Sequence, residues 1–270
     1  MRRVGVATYI IVSGLVSGLL TGLLSIGGGL VTVTLLMAAP LLGGFAFHFP
    51  EIGAMTAAQS TVAMFTGSTV RWRRKTFLTE AVRAMAVPAF LGSLMGGLLS
   101  SRISDHLFTV IYACLATIAT ISLVLKLYSK RFTSDENTGS KFSLSLLPRR
   151  VATLLRATAA FVIAFLSGIV GITGGFILVP FMGFIYRRSD IRKIIGSAII
   201  IQLFSAFGNI LARVTSGPGL SPLVLYLLTG AVLGGYFGAR FSGILSLNVL
   251  NWLSTIILTV IVLHAWYAVF

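Results

Sequence analysis

Two decapeptides hold the residues best suited to chemistry: SIGGGLVTVT, Ser25 to Thr34, and GITGGFILVP, Gly171 to Pro180. The first lies in a run from Val4 to Pro50 that contains no Asp, Glu, Lys or Arg. Glycine reaches positive φ and lets a ligand approach the main chain closely. A helix that restarts after such a turn presents free N–H groups carrying roughly half a positive charge. The expected chemistry is therefore anion binding by main-chain N–H groups, at Gly27, Gly28 and Gly29 in the first segment and at Gly174 and Gly175 in the second. Ser25, Thr173, Gln59 and Gln202 are neutral donors suited to the same site, with Asn209 a more distant candidate. The competing reading is that small residues only let helices pack closely and that the glutamines are interhelical hydrogen-bonding glue. Gly92 with Gly96 and Gly234 with Gly238, each four residues apart on one helix face, are assigned to packing.

Missing chemistry narrows the mechanism. There is no Gly-xxxx-Gly-Lys-Ser/Thr phosphate loop, so ATP hydrolysis by this chain is not expected. The single cysteine, Cys114, excludes an intrachain disulfide and a thiolate metal cluster. His48, His106 and His264 are scattered, and the six acids Glu51, Glu80, Asp105, Asp135, Glu136 and Asp190 sit in loops or near helix ends. No enzyme site, metal or cofactor is expected, and no intramembrane carboxylate relay is evident for proton antiport or cation transport. Glu80 and Arg83 are read as a local ion pair. Passive electrogenic export of a monoanion needs no coupling ion.

The elements that must position these residues follow from composition. With 56% hydrophobic residues, 10% charged residues and a mean hydropathy of +0.98, the chain has too little polar surface for a soluble fold. Ile52 to Val70, Ala84 to Ser101, Leu107 to Leu125, Ile194 to Ala212, Val214 to Ala239 and Phe241 to Phe270 each suffice for one crossing of a core roughly 30 Å thick. Backbone groups in lipid must bond internally, and no run alternates in polarity as a barrel strand would, so these are helices. The net charge of +15 does not indicate nucleic-acid binding. Fourteen of the 21 basic residues fall in three short clusters, around Arg71 to Lys75, Lys126 to Arg150 and Arg187 to Lys193, which the positive-inside rule places in the cytoplasm.

The chain also repeats itself. Ile26, Gly28 and Gly29 match Ile172, Gly174 and Gly175; Gly53 and Gln59 match Gly196 and Gln202; Gly92 and Gly96 match Gly234 and Gly238, in conserved order. The expected organisation is a first transmembrane repeat at 1–128, a polar cytoplasmic linker at 129–150 and a second repeat at 151–270. Counting crossings from the basic clusters inverts one half relative to the other. Ala157 to Tyr186 holds no charge yet lies between cytoplasmic charges, so it must enter and leave on one side with its tip at Gly174–Gly175. By symmetry the first pair turns at Gly27 to Gly29 from outside, which places both termini outside, against the two arginines at the start. The fold class is thus an all-α polytopic membrane protein of two inverted-topology repeats. Each begins with a re-entrant or broken helix pair followed by three transmembrane helices.

The double glycine near the start of each half, the Gly53-to-Gln59 and Gly196-to-Gln202 helices and the Gly-xxx-Gly helices after them resemble the TauE/SafE sulfite exporter family over most of the chain. The resemblance implies a multi-pass transporter of the bacterial inner membrane. Its partner would be a small sulfur-containing anion of the sulfite, sulfonate or sulfoacetate class, without a choice among these. Membrane lipid is the other partner expected, and a homodimer remains an open option. Alternatives are an anion- or water-conducting channel and an uptake permease for the same anions. The family commonly has a proline some five residues after the glycines of each half. Pro180 fits, whereas Thr34 stands at the matching position of the first half.

Overall fold

The computed structural model describes residues 2–24, 28–40, 46–73, 75–128, 149–186, 189–216, 222–242 and 247–269. The described residues are all-helical. Among the described residues, five longer α-helices precede the linker: α1 Arg2–Leu24, α2 Gly29–Met37, α3 Phe49–Arg73, α4 Thr79–Leu99 and α5 Asp105–Tyr128. Five follow: α6 Arg149–Val170, α7 Gly175–Ile185, α8 Ile191–Ser216, α9 Leu223–Ser242 and α10 Leu247–Tyr267. Among the described residues, Thr79–Arg102, Asp105–Ser122, Arg150–Val170 and Arg192–Thr215 are long and apolar enough to cross a membrane. The 11 residues of α7 span about 16 Å, half a hydrocarbon core, so α7 cannot cross alone. The expected broken pair is therefore a long helix, α6, followed by a half-length one.

One boundary differs from the sequence expectation. The run from Val214 to Ala239 is not one helix: α8 continues through Arg213 to Ser216, and α9 starts only at Leu223, after Pro222. Arg213 looks like a boundary charge in the sequence, but it is 3% exposed and lies inside the helix.

At the centre α3 and α8 cross antiparallel. Gly53 lies against Arg213, Thr61 Oγ1 is 3.4 Å from the Ala206 carbonyl, and Gly196 lies against Thr76 just beyond α3. The α8 span is the most buried of the four, with about two thirds of it inside the fold, against 33% to 39% for the others. Helix α1 packs on α9 with Gly14 and Gly18 facing Leu227 and Ala231, and with Gly230 and Gly234 facing Ile11 and Leu15. Helix α4 packs on α6 in the same manner, with Gly92 and Gly96 against the carbonyls of Phe161 and Phe165 and Gly168 against Ser93. Both pairs run parallel. Helix α5 meets α10, where Trp266 Nε1 donates to Thr117 Oγ1 at 3.1 Å. Exchanging α1–α5 for α6–α10 maps this set of helix pairs onto itself.

Two apolar clusters fill the interior. One gathers Leu30, Ile52, Met55, Tyr112, Ile172 and Leu227, and the other Met85, Leu178, Met182, Ile194 and Ile201. On the outer faces Val87, Leu154, Leu225, Ile256 and Leu263 are exposed. Exposed apolar side chains on so many helices match an acyl-chain solvent rather than water.

Candidate functional site

The second glycine segment is a true helix break. The N–H groups of Gly171 and Ile172 both return to the Ser167 carbonyl at 3.0 Å, closing α6, and Gly171 takes φ +91°. Gly174, at φ +67°, is left-handed, and its carbonyl accepts from the N–H groups of Ile177 and Leu178 to open α7. No side chain caps that helix start. A left-handed residue here reverses the chain between two helices, a conformation that costs an L-residue with a side chain roughly 1–2 kcal/mol.

The first segment differs in backbone geometry. Helix α2 starts at Gly29, again with no side-chain cap among the described residues, but Gly28 before it has φ −69° and ψ 0°. The positive φ expected at Gly28 is therefore not found. Space is what demands glycine there: an added Cβ would run into Thr21 Oγ1 and lie 2.8 Å from the Ser17 carbonyl. The departure at Thr34 also has a local account. Thr34 Oγ1 and Tyr112 Oη, 2.5 Å apart, share the Leu30 carbonyl at 2.8 and 2.9 Å, tying the first turn of α2 to α5.

Gln202 stands over its glycine pair, whereas Gln59 is tied to residues that flank its own. Gln59 on α3 donates from Nε2 to Ser17 Oγ at 2.7 Å and accepts from Thr32 Oγ1, joining α1, α2 and α3. Gln202 on α8 accepts from Thr173 Oγ1 at 3.0 Å, and its amide lies directly on Gly175, which has no room for a Cβ. No acceptor among the described residues takes the Nε2 hydrogens of Gln202. The two halves meet here: a Cβ on Gly29 would sit 2.8 Å from Ile172 Cγ2 and 3.3 Å from Ser60 Oγ. Thus Gly28, Gly29 and Gln59 gather on one side and Thr173, Gly174, Gly175 and Gln202 on the other, in contact at Gly29 and Ile172. Asn209 is not part of this group. It lies two turns further along α8, about 10 Å away. Ser25 and Gly27 lie outside the described residues, as does most of the linker.

Three contributors escaped the sequence reading. Ser60 faces the start of α2. Ser167, whose buried Oγ has no partner among the described residues, sits 2.5 Å from where a Gly174 Cβ would be. The third is Arg213: Nη2 donates to the carbonyls of Gly168 (3.2 Å) and Ile169 (2.8 Å), Nη1 to Pro50 (3.4 Å) and Nε to Asn209 Oδ1 (3.5 Å). The spacing of Gln202, Asn209 and Arg213, seven and then four residues, puts all three on one face of α8 and is the signal that could have found it. A further correction concerns Glu80. It pairs with Arg156 on α6 at 2.5 Å rather than with Arg83, and the Arg156 guanidinium lies 4.9 Å over the Tyr186 ring.

Among the described residues no three His, Cys, Asp or Glu side chains converge as metal ligands. The arrangement instead offers what an anion needs: two uncapped helix starts, free amide hydrogens and hydroxyls in an apolar surround.

Known proteins agree in kind. The profile of a family described as Sulfite exporter TauE/SafE matches residues 10–265. The chain is 26% identical over 247 residues to Probable membrane transporter protein YunE of Bacillus subtilis (strain 168), covering 86% of this chain and 87% of that one. It is 28% identical over 224 residues to a Probable membrane transporter protein of Haemophilus influenzae (strain ATCC 51907 / DSM 11121 / KW20 / Rd), covering 78% and 76%. A shorter match, 37% over 92 residues, links 32% of this chain to 15% of Probable membrane transporter protein MamO of Magnetospirillum gryphiswaldense. No solved structure gives a significant match. With a profile match that runs from α1 to α10 and a helical architecture built around paired glycine segments, the chain belongs to the TauE/SafE sulfite exporter family of membrane transporters.

Proposed function

We propose that this transporter exports a small sulfur-containing anion, of the sulfite, sulfonate or sulfoacetate class, across the bacterial inner membrane. It does so by alternating access around a site between its two halves. The observation that carries this reading is the approach of two glycine helix starts, α2 at Gly29 and α7 at Gly175, through the Gly29–Ile172 contact, with Gln202 lying on Gly175 and Gln59 bonded to Ser17 and Thr32 beside the first. Main-chain N–H groups at Gly29, Leu30, Gly175 and Phe176 bind the oxyanion, and the Gln202 amide and the serine hydroxyls complete its shell. Such donors bind charge without a buried acid or base, so the loaded and empty site differ only by the substrate's charge. The family description favours sulfite among the candidates. The antiparallel crossing of α3 and α8, with parallel α1–α9 and α4–α6 pairs, supports an inverted relation of the halves.

The test is flux in proteoliposomes holding the purified protein, with sulfite, sulfate, sulfoacetate and taurine compared under a set potential. Saturable flux that prefers sulfite or an organosulfonate over sulfate is expected. Non-saturating flux indifferent to anion identity would mean a channel instead.

A further inference from the structure

A helix that stops inside a membrane leaves carbonyls without their N–H partners, and in hydrocarbon those orphans must be satisfied by something. At the break after α6, a continuing helix would bond Ile172 N–H to Gly168 O and Thr173 N–H to Ile169 O. Ile172 instead turns back to Ser167, and the left-handed Gly171 ends the helix. Ile169 O, left without its helical donor, accepts from Arg213 Nη2 at 2.8 Å; the same atom reaches Gly168 O at 3.2 Å, which otherwise keeps only a shared bond from Gly171 N–H, also at 3.2 Å, while Nη1 of the same guanidinium reaches Pro50 at the start of α3. The fit is tight on every side. A Cβ on Gly53 would stand 2.6 to 2.8 Å from the guanidinium nitrogens and carbon, and a Cβ on Gly171 would collide with Gly53 itself. Arg213 makes no ion pair among the described residues; three of its bonds go to main-chain carbonyls and one to Asn209 Oδ1. In the first half, Val70 stands at the position matching Arg213, by the register that pairs Gln59 with Gln202.

We propose that Arg213 is a positioning residue for transport. Its guanidinium clamps the α6–α7 break to the start of α3 and so holds Thr173, Gly174 and Gly175 where they can bind the anion. The inference rests on the proposed anion site for its transport readout, but the clamp itself is readable without any substrate. Arginine suits the task because its planar fork reaches several acceptors at once, which a lysine ammonium cannot do from one position.

Two variants probe the clamp while keeping a charge: Gly53→Ala, which pushes a methyl into the guanidinium, and Arg213→Lys. In a Cys114→Ser background carrying Thr173→Cys, thiol labelling in membranes should accelerate several-fold for both, because the break loosens. In proteoliposomes both should raise the KM for sulfite about tenfold, with the maximal rate per folded transporter within about twofold. Arg213→Met should be worse than Arg213→Lys, and adding Gly53→Ala to Arg213→Met should cause no further loss, since the group it displaces is gone. Labelling unchanged by Gly53→Ala and Arg213→Lys, or additive effects in the double variant, would overturn the clamp. If Arg213→Met does not accumulate, the two charge-retaining variants decide. A parent that moves no sulfur anion, yet shows the labelling change, would overturn the substrate reading and leave the clamp standing.

Discussion

Gly174 and Gly28 occupy matching places in the two halves but are glycines for different reasons, and substitution should separate them. Gly174→Ala forces a side chain into a left-handed backbone, at roughly 1–2 kcal/mol, and sets its Cβ 2.5 Å from Ser167 Oγ. Gly28→Ala meets no backbone strain at φ −69°; its Cβ presses on Thr21, which can rotate part of the way aside, and on the Ser17 carbonyl at 2.8 Å, so its cost falls on the α1–α2 contact rather than on the conformation of the helix start. Affinity for sulfite, read by thermal shift of the purified protein, should therefore fall more for Gly174→Ala; equal losses would sink the conformational distinction. The glutamines should separate too. Gln202→Leu removes a donor for which no acceptor is found among the described residues, so binding should weaken by about 1.5 to 3 kcal/mol, some 10- to 100-fold. Gln59→Leu also breaks the bonds to Ser17 and Thr32 and should lower the unfolding temperature as well. If Gln202→Leu binds as tightly as the parent, its amide does not touch the anion. The glycine pairs and glutamines were legible because their types repeat in order along the chain. The φ of Gly28 was not, since its neighbours in space decide it. Arg213 was hidden because its acceptors stand 44, 45 and 163 residues away, so in sequence it reads as the mark of a membrane surface.

At the scale of helices, apolar length predicted most of α3, α4, α5 and α8, because a bilayer demands uninterrupted internal hydrogen bonding whatever the partners are. Boundaries failed where a charge was buried by partners that local sequence cannot show. The Gly-xxx-Gly reading was legible for a simple reason: four-residue spacing puts both glycines on one face, and a face without side chains has few uses besides close approach. Gly92 and Gly96 accordingly face carbonyls of α6. Those contacts are backbone, which cannot rotate away. Gly96→Ala should therefore reduce yield and unfolding temperature while leaving the sulfite affinity of the surviving fraction within about twofold. Gly5→Ala is the control, since nothing lies within 4 Å of its added Cβ. Exchange to alanine there should be neutral or stabilising by up to about 1 kcal/mol, as helix propensity dictates. Loss of affinity in a well-folded Gly96→Ala protein would move the α4–α6 contact from packing into the transport cycle.

At the scale of the whole molecule, charge placement and mechanism are linked. The proposed inversion of the halves would put the Ser129–Arg150 linker in the cytoplasm and both termini outside. Single cysteines introduced as Ser134→Cys and Arg3→Cys, in a Cys114→Ser background, should then label from opposite sides of the membrane, and labelling from one side would break the inverted arrangement. The same placement bears on energy. The acids lie near helix ends or in the linker, Glu80 already pairs with Arg156, and the buried cation Arg213 is committed to carbonyls. Among the described residues, then, no buried carboxylate is available to carry a proton through with the substrate. Under the proposed export, the substrate's own charge can supply the driving force. A monoanion leaving down an inside-negative potential gains about 2.3 kcal/mol per 100 mV, enough to sustain roughly a fiftyfold outward gradient with no coupling ion. Outward sulfite flux from proteoliposomes should accordingly accelerate when a potassium diffusion potential makes the interior negative. It should slow when the potential is reversed, and it should be unmoved by collapsing a pH gradient at constant potential. Flux that stops when the pH gradient is collapsed, at unchanged potential, would mean that a proton travels with the anion and that its carrier is a group assigned no such role here.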